Sequence, residues 1–516
     1  MRRFFPGFKS GFTTGFTTAW SGHHSVVILL VAASFLSGCA ASTNPISGRR
    51  AFNYAWSPAE EVQVGREADP QIVAQYGLYD DPEVSAYVDS LGQALVRLSH
   101  VRREGADPVF ANMTFHFRVL DSPVVNAFAL PGGYIYVTRG LLAHLENEAQ
   151  LAVVIGHEIG HVVGRHGSKA MWRQQFGTGA LLLGAIGGQA VFGGNAAENI
   201  LNLGSTASQL LFLKYGRGAE EESDQLGVEY AALAGYDASQ GAAFFRSLKR
   251  LSDQAGADLP TLLSSHPDPG NREAYMIERS AFWAERGLAQ RQVGRESLFW
   301  YVEGLTYGED PRQGFVRSGT FYHPGLAFRF PVPSGFQVVN QPSRVVMVPE
   351  SQQAVVIMDI DQEHARARDA AEAAASQQGV QVVESAMGQA GGLPMHYVVA
   401  DATTQDGQQL RIRYQFIDHA GYVFRFTGMA LRTSWSDYEP LFTTSMTGFR
   451  QETDPSILNI QPDRVALTTA DQSQPFSSFL SGVPLPQGLN ALSLAILNQV
   501  EVGELIQAGR TLKIVR

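Results

Sequence analysis

The stretch 147–166 constrains this 516-residue chain more than any other, because its apolar residues recur at the spacing of one helical face. It reads Asn-Glu-Ala-Gln-Leu-Ala-Val-Val-Ile-Gly-His-Glu-Ile-Gly-His-Val-Val-Gly-Arg-His. Asn147 is a residue type that can cap a helix N-terminus. We therefore predict a single buried helix over 147–166.

Three ionisable residues lie on this apolar helix, in the pattern His157-Glu158-x-x-His161. Residues four apart share a helix face, so both imidazoles can reach one ion. Imidazole nitrogens bind Zn²⁺ at roughly 2.0–2.1 Å. A glutamate beside the first histidine can act on water as a general base without binding the metal. The alternative is a buried helix whose two histidines are satisfied by hydrogen bonds alone.

The motif leaves one ligand unassigned, because catalytic zinc sites use three protein ligands. One large class of such motifs takes a histidine six residues after the second, but here His166 lies one residue out of register. Another class takes a glutamate from a later helix. Glu220 and Asp224 share a face of a predicted helix, so one could bind the ion and the other could orient a histidine. We interpret the acids between them, Glu221 and Glu222, as solvated.

The motif followed by Glu220-x-x-x-Asp224 resembles the family-48 metallopeptidases, the HtpX, BepA and CAAX prenyl protease type, over about residues 57–280. By position, the resemblance implies one Zn²⁺ per chain, held by the two motif histidines and Glu220. It also implies that Glu158 is the catalytic base and that Asp224 orients a ligand histidine. Ser223 stands where the common family pattern has alanine, a small departure next to the metal site.

The resemblance extends to a segment before the motif, where Asn126 is followed by a Pro-Gly-Gly turn and a predicted strand at Tyr134–Thr138. In the family this segment lies by the active site and presents a sheet edge to the substrate. The candidate substrate-edge residues are therefore Asn126, Gly132 and Gly133. A substrate would bind beside them as an added strand, through backbone hydrogen bonds. The alternative for Asn126 is a plain turn residue.

A second implied feature is the loop Ser264-Ser-His-Pro-Asp-Pro-Gly. In similar members of the family, a Ser-His-Pro loop lies near the zinc, and its histidine can block the open metal position. That residue is His266 here. It is a candidate plug or transition-state donor, and the alternative is a surface turn built by the neighbouring prolines and glycine.

The N-terminus resembles a bacterial lipoprotein signal. Residues 1–38 combine a basic lead with a short apolar run and end in Leu-Ser-Gly before Cys39, the only cysteine. We expect Cys39 to be lipidated and residues 39–56 to form a tether. Ala40 follows the cysteine, which favours the outer over the inner membrane on the periplasmic face of the cell envelope. An uncleaved signal anchor is the alternative.

The remaining chain predicts an α+β multidomain protein. We expect a mainly helical zinc-peptidase domain with a small β-sheet at 57–290 and an α+β accessory domain at 297–450. A linker at 451–463 and a small C-terminal module at 464–516 follow, the module faintly resembling a LysM unit. The glycine-rich stretch 177–204 lacks the spacing of a dinucleotide fingerprint.

These features predict a zinc-dependent endopeptidase. The formal net charge of −10 and the absence of a basic cluster argue against a nucleic-acid partner. The resemblance implies unfolded or misassembled envelope proteins as substrates, in protein quality control, with a lipid membrane contacted through Cys39. The alternatives are a lipoprotein chaperone or assembly factor with a largely closed zinc site, and a cell-wall-binding lipoprotein.

Overall fold

The computed structural model describes residues 42–46, 50–51, 53–177, 210, 213–255, 262, 266, 271–404 and 407–516. The predicted signal segment 1–38, Cys39 and nearly all of the glycine-rich stretch 177–204 lie outside the described residues. Within the described residues, no helix has the length and apolarity needed to cross a membrane.

The first part of the chain is mainly helical. Its first helix begins with a capping box, in which the side chains of Ser57 and Glu60 each accept from the other's backbone amide. The helices are Pro58–Tyr76, Pro82–Leu98, Pro108–Ala111, Arg139–His144, Glu148–Val163, His166–Gly177, Arg217–Leu233, Gly241–Ala255, Arg272–Glu285 and Arg295–Val302.

A three-stranded sheet lies within this helical part. Tyr134–Thr138 is the central strand, parallel to His116–Leu120 and antiparallel to Ala127–Leu130. The sequence predicts the central strand with the bounds that the structure has. Ala127–Leu130, which follows Asn126, is an edge strand of this sheet.

The motif helix (Glu148–Val163) is shorter than predicted. Asn147 caps it as expected, accepting the Gln150 amide at 3.0 Å. The prediction of one helix through residue 166 is wrong, because Arg165 adopts a left-handed conformation with φ 56° and a second helix starts at His166. The buried Arg165 guanidinium donates to Glu61 and to the Trp56 carbonyl, contacts that lie about a hundred residues away in sequence.

The motif helix packs closely against the carboxylate helix (Arg217–Leu233), and glycines allow the approach. A Cβ atom added to Gly227 would lie 2.8 Å from the Val153 carbonyl oxygen and 2.9 Å from the His157 amide nitrogen. A Cβ added to Gly156 would lie 3.0 Å from the Gly227 Cα atom. The two backbones are thus in near contact at the turn of the motif helix that carries His157.

A second unit is built on a seven-stranded antiparallel sheet, and its own aromatic core includes Phe321, Phe328 and Phe426. The sheet's strands, in spatial order, are Val380–Ala390, Leu393–Thr403, Gln409–His419, Tyr422–Leu431, Ala354–Asp361, Arg344–Pro349 and Phe336–Gln341. A smaller sheet contains Phe315–Arg317, Thr320–His323, Phe328–Pro331 and Arg450–Gln451, and the main helices are Ala367–Ala375 and Trp435–Thr447.

The C-terminal segment packs onto the helical part and not onto the second unit's core. Val465, Leu494 and Val515 belong to the same hydrophobic core as Leu151 and Ile155 of the motif helix. The segment's elements are Val465–Thr469, Gln474–Pro475, Phe476–Leu480, Ala491–Leu497, Leu505–Ile506 and Thr511–Val515. The chain thus contains a mainly helical part and a sheet-rich part, consistent with a mixed α+β multidomain protein.

Candidate metal centre and active site

The motif helix brings two buried imidazoles together one turn apart. The Nε2 atoms of His157 and His161 are 2.9 Å from each other. Glu220, in the first turn of the carboxylate helix, faces both rings. Its Oε2 atom is 3.6 Å from His157 Nε2, and its Oε1 atom is 3.4 Å from His161 Nε2.

His266 completes this group. Its Nδ1 atom is 3.2 Å from His157 Nε2 and 3.3 Å from Glu220 Oε1. The four side chains are buried, and one ligand atom of each lies within 4.8 Å of all the others.

The spacing of these four atoms fits a tetrahedral zinc ion. Two ligand atoms that each lie roughly 2.0–2.1 Å from such an ion are about 3.4 Å apart. The contacts among the four side chains range from 2.9 to 3.6 Å. Three imidazoles and one carboxylate are also the ligand types that zinc prefers. This buried group could therefore hold one zinc ion.

Glu158 lies beside the group without belonging to it. The side chain is fully buried, and neither carboxylate oxygen has a hydrogen-bond partner among the described residues. His266 lies next to it, with its Nε2 atom 3.6 Å from Glu158 Oε1. Burial raises the pKa of the Glu158 carboxyl group. A buried carboxylate with two unused acceptor atoms needs a further partner, and a water molecule or a substrate would supply one.

Asp224 holds the ring of His157 from the other side. Its Oδ1 atom accepts the Nδ1–H of His157 at 2.8 Å. Arg272 donates to both Asp224 oxygens at 2.7 Å and to Glu220 Oε2 at 3.0 Å. Burial favours the neutral acid, but Arg272 and His157 hold the pKa of Asp224 below its ordinary value.

Three further residues contact the group and a fourth, Glu222, contacts one of the three. None of the four was predicted in a supporting role. Arg272 joins the two carboxylates, and Tyr215 stacks on the His161 ring with centroids 4.0 Å apart. His166 is hydrogen-bonded to His161, and Glu222 to His166. The prediction of a solvated Glu222 is therefore wrong. The only sequence signal that pointed to any of these supporting residues was the position of His166, five residues after His161.

His166 does not lie among the four candidate ligands. Its Nδ1 atom is 3.0 Å from the Nδ1 atom of His161, on the opposite side of that ring from Glu220. Of the two candidate third ligands, the structure therefore brings Glu220 to the motif histidines and leaves His166 behind one of them.

The predicted substrate-edge residues lie along the edge strand and its turn. Asn126 is buried, and its backbone N–H donates to the Thr138 hydroxyl oxygen at 3.1 Å. Gly132 and Gly133 have φ values of 82° and 88°, and a Cβ on Gly132 would lie 2.7 Å from the Glu61 carbonyl oxygen. The described contact of Gly132 is thus with the first helix and not with the metal group. The end of the edge strand, Ala129 and Leu130, lines a small cavity together with His161.

Comparison with known proteins supports the same chemistry. Residues 84–279 match the model of Peptidase family M48. The chain is 30% identical over 260 residues to the beta-barrel assembly-enhancing protease of Escherichia coli, covering 48% of this chain and 51% of that protein. It is 32% identical over 198 residues to the mitochondrial metalloendopeptidase OMA1 of Arabidopsis thaliana, covering 38% of this chain and 36% of that protein.

The OMA1 protein of Schizosaccharomyces pombe is 26% identical over 262 residues, covering 50% of this chain and 70% of that protein. The chain spans about half the length of the Escherichia coli relative. In each case the matched part is about half of this chain or less. The match over 84–279 and the four-residue group around the motif helix together support a metallopeptidase domain of Peptidase family M48 within this chain.

Proposed function

We propose that this protein is a zinc-dependent endopeptidase that hydrolyses peptide bonds in proteins of the cell envelope. The observation that carries the proposal is the position of Glu158. A buried carboxylate, neither of whose oxygens has a hydrogen-bond partner among the described residues, lies directly beside a group of side chains suited to zinc. In a purely structural metal site this carboxylate would only cost stability, whereas a catalytic site needs it to accept a proton from water.

The chemistry follows from these residues. Zinc, when bound, would polarise the scissile carbonyl and the attacking water. Glu158 accepts a proton from that water, and the raised pKa of its carboxyl group suits it to return the proton to the leaving amine. Asp224 fixes the ring of His157 through the Nδ1–H bond, and Arg272 holds both carboxylates of the carboxylate helix in place.

The position of His266 supports a resting state in which substrate is excluded. Its Nδ1 atom is spaced from the other ligand atoms as a fourth zinc ligand would be. Catalytic zinc sites keep one position open, whereas structural sites are closed by four protein ligands. Proteolysis therefore requires that His266 move away from the group.

The same observation favours a second candidate function. If His266 never leaves, the site is a closed structural one, and the protein is a lipoprotein chaperone or assembly factor. Cleavage of casein by the purified full chain, abolished by a chelator and restored by zinc, separates the two candidates.

The role of Glu158 has a sharper test. Glu158→Gln should retain zinc and lose proteolysis, because the side chain acts on water and not on the ion. Glu220→Gln should lose zinc and proteolysis together. Equal loss of zinc from both variants would contradict the assigned roles.

We further propose that the protein is anchored through lipidated Cys39 on the periplasmic face, at the outer membrane. The sequence 1–38 supports this anchor. We also propose unfolded or misassembled envelope proteins as substrates, and the name of the Escherichia coli relative, a beta-barrel assembly-enhancing protease, supports a role beside protein assembly. Mass spectrometry of the membrane fraction should find a lipid on Cys39 as the mature N-terminus. An unmodified Cys39 there would refute the anchor and leave the peptidase proposal untouched.

We place the peptidase unit at 57–290, followed by an accessory unit at 297–450, a linker at 451–463 and a C-terminal module at 464–516. The separate aromatic core of the second unit supports two units. Leu298 and Val302 belong to the same core as the motif helix, however, which favours a boundary after residue 302 rather than before residue 297. The core that the C-terminal segment shares with the motif helix suggests that this segment supports the peptidase unit.

A further inference from the structure

We propose that His166 and Glu222 form a positioning arm for the ligand His161, matching the arm that Asp224 provides for His157. This inference rests on the proposed zinc site, and it assigns a role to two residues outside the metal group. Zinc binding determines which ring nitrogen of each ligand histidine carries the proton.

Both motif histidines present Nε2 to the metal group, because their Nε2 atoms approach each other and Glu220. A neutral imidazole that binds a metal through Nε2 carries its proton on Nδ1. The Nδ1 atom of His161 is therefore a donor, as is that of His157. His157 Nδ1–H donates to Asp224 Oδ1 at 2.8 Å.

The partner of His161 Nδ1 is His166 Nδ1, at 3.0 Å. Since the His161 atom donates, the His166 atom must accept, and His166 must carry its own proton on Nε2. That Nε2 atom lies 2.8 Å from Glu222 Oε2, where the proton can be donated. One tautomer thus satisfies both contacts, and the Ser223 hydroxyl, 3.2 Å away, can donate to the same Nδ1 atom.

Two features of the backbone, at Gly164 and Arg165, position the His166 ring beside His161. The left-handed Arg165 turns the chain so that the His166 ring comes back beneath the end of the motif helix. A non-glycine residue in that conformation is uncommon and needs support from its surroundings. Gly164 leaves the space, because a Cβ there would lie 2.4 Å from His166 Nε2.

The two arms differ in charge and burial. Asp224 is fully buried and paired with Arg272, so its charge acts directly on His157. The arm on His161 ends at Glu222, whose side chain is 33% exposed, with Lys169 Nζ 3.8 Å away. A neutral imidazole thus separates His161 from the carboxylate. The arm fixes the ring and its tautomer while placing less negative charge beside the metal.

The experiment uses purified full chain stripped of metal, with zinc alone and Co²⁺ alone as probes. His166→Ala should weaken zinc binding by about 10- to 100-fold and change the Co²⁺ absorption spectrum, as loss of a supporting hydrogen bond to a ligand does. His166→Asn, whose amide oxygen can accept from His161 Nδ1–H, should restore most of the affinity. Thermal unfolding of the metal-free proteins measures any general loss of stability separately.

A matched pair of variants tests the outer half of the arm. Glu222→Gln removes the charge that ends the arm, and Glu221→Gln removes a neighbouring exposed charge. Zinc binding should weaken in the first variant and stay unchanged in the second. Equal zinc affinity for both variants, or a wild-type Co²⁺ spectrum in His166→Ala, would overturn the proposal. Because zinc binding is measured without substrate, a failure here is distinct from a failure of the proposed proteolysis.

Discussion

Lys513 offers a test of whether the C-terminal segment supports the catalytic helix. Its ammonium group is fully buried and donates to the carbonyl oxygens of Ala143 and Leu145, at 2.9 and 2.8 Å. It also lies 3.0 Å from Glu146 Oε1. These three acceptors immediately precede the cap of the motif helix. Lys513→Met would keep most of the apolar stem and leave all three acceptors without this donor.

The expected cost can be worked out from these contacts. Removing one partner of a buried ion pair costs about 3–5 kcal/mol, because the remaining charge stays buried without compensation. Glu146 keeps Arg295 at 2.8 Å, which reduces that part of the loss. The two carbonyl groups each lose a charge-assisted hydrogen bond, worth about 1.5–3 kcal/mol apiece. Because a single ammonium group makes all three contacts, these costs overlap and are not additive. We therefore expect the free energy of local opening of the motif helix to fall by about 3–5 kcal/mol, the cost of breaking one buried ion pair.

Hydrogen exchange of motif-helix amides, read by mass spectrometry on the full chain, measures this quantity locally. The control is Lys249→Met, which removes a 3.5 Å pair with Asp253 whose side chains are 70% and 68% exposed. That change should cost no more than about 0.5 kcal/mol. A loss below about 1 kcal/mol for Lys513→Met, or a loss equal to the control, would refute the supporting role of the segment.

Three further outcomes are expected. Gly227→Ala should weaken zinc binding, because the new Cβ would lie 2.8 Å from backbone of the motif helix, whereas Gly218→Ala on the same helix meets no atom within 4 Å; equal zinc affinities would contradict this. His266→Ala should raise basal casein cleavage at unchanged zinc content, while no change would indicate a plain turn and lost activity a transition-state donor. Burial lowers the pKa of His144 to about 4. The unfolded chain then binds a proton that the folded chain refuses, so stability should fall by about 2–3 kcal/mol as the pH drops from 6.5 towards 4. Urea unfolding should show a shallower pH dependence in His144→Gln, and an unchanged slope would contradict the assignment.

Local sequence signals predicted the elements whose causes are local. The Asn147 cap and the Tyr134–Thr138 strand follow from residue types and periodicity, and both have the expected place. The four-residue spacing of Glu220 and Asp224 put both on one helix face, and the structure turns that face to the motif histidines.

The parts that sequence reasoning missed depend on distant contacts. The left-handed turn at Arg165 is held by Glu61 and Trp56, so nothing near residue 165 indicates that His166 changes direction. Arg272 meets Asp224 across forty-eight residues, without any periodic pattern to join them. The strand Val380–Ala390 has exposed residues on both faces, so it lacks the alternation that identifies a half-buried strand.

The near contact of the motif helix and the carboxylate helix also links metal supply to folding. Three of the four candidate ligands come from these two helices, so the helices cannot separate without dispersing the site. Any ion bound there stabilises the folded chain by mass action, by about 2.7 kcal/mol when free zinc exceeds the dissociation constant a hundredfold. The lifetime of this protein should therefore follow the zinc concentration of the compartment in which it folds, and a zinc-starved cell would lose the enzyme as well as its activity.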